Sequence, residues 1–155
     1  CSQSRGLGDV YKRQALWNAR ESLEDEFMLL WGDDYHPIDY SSLVKHHREK
    51  SSPLTMTVTT EHESMNLHHE GGRLIQYSKQ QEPPPTFNGY EAGTSIVSKS
   101  VVLEHGKDGP WSWENTIYSA MANEIHVHLD STKFWDMGTP ERLEKLEQFF
   151  NESSL

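Results

Sequence analysis

Five consecutive apolar residues at 27–31 (FMLLW) run without interruption into Gly32-Asp33-Asp34. A continuous apolar run bounded by turn residues predicts a strand buried on both faces, as in a parallel sheet. Upstream, Ala15, Leu16, Ala19 and Leu23 recur at helical spacing and predict a helix over 15–26. Downstream, His36-Pro37-Ile38-Asp39 reads as a turn. Asp39 then caps a helix from Tyr40 to about Lys50, with Leu43, Val44 and His47 facing inward. Ser51-Ser52-Pro53 ends that helix, and the alternating, β-branched stretch 54–60 (LTMTVTT) predicts a second strand. Strand, helix and strand in this order make a βαβ unit, whose two strands pair in parallel through a right-handed crossover.

The second half is less regular. Residues 66–69 and 73–77 flank Glu70-Gly71-Gly72 and predict a hairpin. Three consecutive prolines within 80–88 predict an extended loop. A strand over 93–99 leads into a short helix near 100–105. A further helix over 113–123 turns Trp113, Ile117 and Met121 inward. Ile125, Val127 and Leu129 alternate with His126, His128 and Asp130, the pattern of a half-exposed strand. Thr139 as N-cap, Pro140 at the first helical position and Glu141 behind it specify a last helix, with Leu143, Leu146, Phe149 and Phe150 as its apolar stripe.

Residues 4–14 (SRGLGDVYKRQ) match an in-frame translation of a transposon-type sequencing-library adapter. Residues 1–14 are therefore read as a non-native scar on an environmental sequence, and residues 15–155 as the carboxy-terminal portion of one domain, truncated on its amino side. The single cysteine, Cys1, falls in the scar, so disulfide and thiol chemistry are set aside. With Arg5, Lys12, Arg13 and Asp9 removed, the formal net charge moves from −10 to −12. That balance argues against a nucleic-acid polymer as partner, because phosphate backbones are gripped by clustered Lys and Arg. No apolar run approaches the roughly 18 residues that suggest a membrane span.

The candidate chemistry lies at two carboxylates. Asp33 follows a predicted buried strand, the end at which open α/β sheets place their ligands. Asp136 also follows a short apolar segment and also precedes a glycine and a helix. Two aspartates so placed supply the hard oxygen ligands that an octahedral Mg²⁺ takes, leaving positions open for water and phosphate. The bland alternative is a pair of acidic turn residues. Four segments in order, LLWGDD (29–34), RLIQYSK (73–79), YEAGTSIV (90–97) and FWDMGTPERL (134–143), resemble those of the sugar-1-phosphate nucleotidyltransferases. The last carries that family's Asp-x-Gly-Thr-Pro pattern.

The resemblance implies a partial Rossmann-like (GT-A type) α/β fold with a mostly parallel central sheet and its amino-terminal strands missing. It implies a cytoplasmic enzyme that joins an NTP to a sugar 1-phosphate, giving NDP-sugar and pyrophosphate, and that can form a homo-oligomer. By carry-over, Asp33 and Asp136 would hold Mg²⁺ and Lys79 would bind the sugar phosphate. Glu91 and the backbone at Gly93 would contact sugar hydroxyls. Two departures stand out. The family's amino-terminal G-x-G-T-R-L…P-K loop is absent from this sequence, so the chain alone is expected to be inactive. Ser78-Lys79-Gln80 also stands where many relatives have Glu-Lys-Pro. A second class of function is a non-catalytic sugar-nucleotide- or metal-binding module. His126-x-His128 with Asp130 could suit Zn²⁺, against the simpler reading of a polar strand face. Trp111 and Trp113 could stack on a base or sugar, or pack in the core.

Overall fold

The computed structural model describes residues 14–79, 82–109 and 111–153. All but the last residue of the adapter-like segment, and Cys1 with it, lies outside these residues. Among the described residues the strands are β1 (Glu26–Leu30), β2 (Asp34–Tyr35), β3 (Leu54–Thr59), β4 (Leu67–Glu70), β5 (Arg73–Tyr77), β6 (Tyr90–Ser98), β7 (His126–Leu129) and β8 (Trp135–Asp136). Three α-helices are labelled α1 (Tyr40–Lys50), α2 (Lys99–His105) and α3 (Pro140–Ser153). A π-type turn spans Glu114–Tyr118. Six strands form one sheet in the order β1-β6-β3-β7-β5-β4, while β2 and β8 form a separate two-stranded ladder.

The α/β class is as the pattern predicts, but the sheet is mixed rather than mostly parallel. Among the described residues only β3 and β7 pair in parallel; β1–β6, β3–β6, β4–β5 and β5–β7 are antiparallel. The predicted βαβ unit is corrected in the same way. β1 and β3 do run in the same direction across α1, yet β6 is inserted between them and pairs with both. Adjacency along the chain carries no information about a strand that arrives some thirty residues later.

β3 and β6 form the true interior. All six residues of β3 are buried, as are Glu91 to Val97 of β6. β1 is instead an outer strand, only half-buried, with Leu30 50% exposed. Apolar continuity therefore overstated the burial of this strand, which is not enclosed on both faces. The helix expected over 15–26 is also shorter: helical geometry covers 14–18, a 3₁₀ turn covers Arg20–Ser22, and β1 begins at Glu26.

Local signals hold where they rest on capping and turn chemistry. The Asp39 carboxylate accepts from the backbone N–H groups of Ser41 (3.0 Å) and Ser42 (3.2 Å) and starts α1. Gly71 and Gly72 have φ of 57° and 75°, the two positive values that a tight hairpin turn between β4 and β5 requires. Thr139 Oγ1 accepts from the Arg142 N–H at 3.4 Å at the start of α3.

α1 covers one face of the sheet through Leu43, packed with Ile38, Ile96 and Met28. His47 is buried in the same interface, its Nδ1 2.9 Å from Thr55 Oγ1 and its Nε2 3.3 Å from the Glu26 carboxylate. The larger core joins Val97, Val101, Trp113, Ile117, Tyr118 and Met121 with Phe27, Leu29 and Trp31. Trp111 and Trp113, 6% and 0% exposed, belong to this core. At roughly 1.5–3 kcal/mol for each large apolar side chain buried, that core supplies the main driving force for the fold.

Candidate active site

The acidic turn after β1 and the Asp-x-Gly-Thr-Pro stretch, a hundred residues apart in the chain, meet in the β2–β8 ladder. Asp34 lies opposite Asp136 and Tyr35 opposite Trp135. The Met137 N–H donates to the Asp33 carbonyl at 2.7 Å, which locks the two turns together. A side chain at Gly138 would begin 2.9 Å from Asp136 Oδ1 and 3.9 Å from Asp33 Oδ2, so both carboxylates reach the space left by that missing side chain. Asp136 accepts from the Gly138 N–H at 2.7 Å through Oδ1 and forms an ion pair with Arg142 through Oδ2. Asp33 and Asp136 are thus brought together.

Gly93 ties this turn to the sheet. Its φ is 77°, its carbonyl accepts from the Trp31 N–H at 3.2 Å, and a Cβ there would lie 2.2 Å from Asp34 Oδ2. Only a residue without a side chain permits that approach. The β3–β6 register shifts at this place: Met56 faces Ser95 whereas Val58 faces Glu91. A local irregularity of this kind re-aims side chains, and here Glu91 is directed into the core.

Glu91 and Lys79 meet in a second group of residues. Glu91 is 9% exposed, its N–H donates to Asn66 Oδ1 at 2.9 Å, and Trp31 Nε1 lies 3.4 Å from its Oε1. Burial, and then the charge of Glu114, push the Glu91 carboxyl up to about 7. Lys79, two residues beyond β5, donates from Nζ to Glu114 Oε1 at 2.7 Å. Ser112 Oγ donates to the other Glu114 oxygen at 3.3 Å. Glu114 is 6% exposed and opens the π-type turn, a local geometry that is frequent at functional sites.

Glu114, Trp31 and Arg142 were not among the site residues that sequence reasoning selected. A glutamate set directly after two tryptophans (WSWE) carried a usable signal, because an acid in an apolar run is buried only with a partner. Arg142 left no comparable trace. The histidines do not assemble into a cage. His128 meets His46 of α1 edge-on at 5.1 Å between ring centroids, and burial lowers both. Among the described residues no group of three or more His, Cys, Asp or Glu side chains is arranged to hold a metal ion. Nor, among them, is any helix long and apolar enough to cross a membrane.

No family model matches the chain. HddC from Yersinia pseudotuberculosis superposes with a TM-score of 0.70 at 20% identity, over 88% of this chain and 61% of its own. A structure from Bacillus anthracis described as a glucose-1-phosphate thymidylyltransferase gives 0.71 at 13% identity, over 88% and 59%. The inositol-1-phosphate CTP transferase of T. maritima gives 0.70 at 14%, over 90% and 61%.

The fold is that of the sugar-phosphate nucleotidyltransferases. A protein of Sulfolobus acidocaldarius described as a mannose-1-phosphate guanyltransferase is 28% identical over 99 residues, 62% of this chain and 27% of that protein. The resemblance read from the four sequence segments is therefore matched by both structure and sequence. The chain spans about three-fifths of the length of these solved structures and about a quarter of that sequence relative.

Proposed function

We propose that this chain is part of an enzyme that transfers a nucleotidyl group from an NTP to a sugar 1-phosphate, giving NDP-sugar and pyrophosphate. The observation that carries this reading is the β2–β8 ladder, which converts two distant Gly-flanked aspartates into one acidic site beside the sheet. The names of the relatives support the same chemistry: the Sulfolobus protein is described as acting on mannose 1-phosphate, and HddC has been seen with GMP-PN.

The acidic site fits Mg²⁺. Hard oxygen donors are present in Asp33 and Asp136, and this ion is commonly held by one or two carboxylates, with the remaining positions left to water and substrate phosphates. Burial first, and then the charges of Glu91, Asp136 and Asp34, push the Tyr90 hydroxyl up, which marks the negative potential of this region. When bound, the ion would neutralise phosphate charge during in-line displacement. Asp33 and Asp136 would hold and orient it; the Gly138 N–H fixes the rotamer of Asp136, and Arg142 would have to yield one carboxylate oxygen. Lys79 binds the sugar phosphate as a compact point charge. The sugar lies against the backbone at Gly93, with Glu91 enclosed behind it. The sugar phosphate supplies its own nucleophilic oxygen, so no protein nucleophile is required. The reaction belongs to cytoplasmic nucleotide-sugar biosynthesis.

The test is pyrophosphate release from each of the four NTPs with mannose or glucose 1-phosphate and Mg²⁺. The protein extended through its upstream reading frame is expected to turn over, and Asp136→Asn to slow it by about a hundredfold or more. The 155-residue chain, whose sequence has no G-x-G-T-R-L loop, is expected to release none. An extended protein that releases no pyrophosphate with any pair would end this reading.

A further inference from the structure

The ion pair between Lys79 and Glu114 has a consequence for how this site takes its ligand. Lys79 is about half exposed and Glu114 is nearly enclosed, and the two are joined at 2.7 Å. The second carboxylate, Glu91, is buried in the same group. We propose that Glu114 is an internal competitor for the phosphate-binding lysine, so that a phosphate monoester binds by drawing Lys79 off Glu114 and the Glu91–Glu114 pair takes up a proton as it does so. This rests on the reading of Lys79 as the phosphate ligand and adds to it an intrinsic brake on affinity.

The physical argument is one of charge. Two buried carboxylates, one of them paired with a half-exposed lysine, carry a net charge of −1 with it when fully ionised. Drawing the lysine toward a dianion leaves two like charges in an enclosed space, and the cheapest relief is to hold one proton between them. Glu91 already stands near 7 while Lys79 still offsets part of the burial cost. The groups facing it are Glu114 and Tyr118 from the π-type turn, Lys79 just beyond β5, and Tyr90 beside it on β6, while Tyr77 packs on Tyr118. Tyr118 is pushed well up by burial, so below pH 9 it has no charge to contribute. Trp31 Nε1 donates to Glu91 on the remaining side.

Proton uptake on binding means that affinity falls as pH rises, in the range above the last ionisation of the phosphate itself. A phosphate monoester completes that ionisation near pH 6, so the window from pH 7 to 9 isolates the protein's contribution. The probe is mannose 1-phosphate, titrated calorimetrically into the 155-residue chain at pH 7, 8 and 9. The wild type is expected to lose about tenfold in affinity across this window. Glu114→Gln, which keeps the shape and the Ser112 hydrogen bond, is expected to bind about two- to fivefold more tightly at pH 8, a modest gain because the lysine end of the pair is half solvated. It is also expected to flatten the pH dependence, since Glu91 then loses the neighbour that raises it.

A residue with a purely structural role would weaken binding when altered and would leave the pH profile in place. Glu114→Gln that binds no tighter than wild type and keeps its slope overturns the competition, while Lys79→Met weakened in the same series leaves the phosphate reading of Lys79 intact. A wild type that binds no mannose 1-phosphate, or Lys79→Met that binds as tightly as wild type, removes the phosphate reading of Lys79 and the competition with it.

Discussion

Asp33 and Asp136 are held by turns and a two-residue ladder and remain partly exposed. Glu91 and Glu114, by contrast, are nearly enclosed between β6 and the π-type turn, against Trp31, Trp113 and Tyr118. The first region can change charge at little cost because water reaches it; the second cannot, because every ionisation there is made against burial. Under the proposed function, the first kind of environment would serve the metal and the second would tune Lys79.

The contrast is broken most severely by Trp113→Ala. This ring is fully buried and meets Trp31 edge-on at 6.5 Å between centroids. Its removal is expected to cost about 3–5 kcal/mol, read as a lower urea midpoint. A loss below about 1 kcal/mol would show that the buried half is not the structural half.

Glu91→Gln separates burial from charge. Burial holds the Glu91 carboxyl at about 7, against 4.5 for an ordinary glutamate. The folded state therefore binds the proton more tightly. The resulting stability is fully present below 4.5, is lost as pH rises to about 7, and changes no further above that. The amount is on the order of 3 kcal/mol. The buried histidines, His36 and His47, are lowered chiefly by burial and slope the opposite way, losing stability as pH falls below the ordinary histidine value. The difference between wild type and Glu91→Gln at pH 5 and pH 8 isolates the glutamate. Equal slopes in both proteins would show that Glu91 is not buried in solution.

The smallest effect on stability is expected from Asp33→Asn and Asp136→Asn, each within about 0.5 kcal/mol of wild type, as for partly exposed turn positions. Their effect should appear instead in binding of Mn²⁺ as a probe for Mg²⁺, weakened by about tenfold or more. Unchanged Mn²⁺ affinity in both variants would make these residues turn formers only.

Legibility followed the same divide. Asp39, Gly71-Gly72 and Thr139-Pro140 were readable because caps and tight turns are fixed by residues within three or four positions. Asp33 and Asp136 were readable because each sits in a short local motif, although nothing in the chain between them said that a ladder would join them. Lys79 was readable as a residue, but its partner was not: Glu114 lies 35 positions away and reaches Lys79 only through the packing of the π-type turn against β5. The burial of β1 was overstated for a similar reason. FMLLW is more apolar than LTMTVT, yet enclosure depends on neighbours, and it is β3 that has strands on both sides. By itself, then, the sequence determined the turns, caps and apolar stripes and the acidic motif residues, since these are matters of local backbone chemistry and side-chain type. Tertiary structure alone decided which strand is central, which pairs run parallel, and which carboxylate faces Lys79, because pairing and burial are properties of neighbours that the chain brings together from afar.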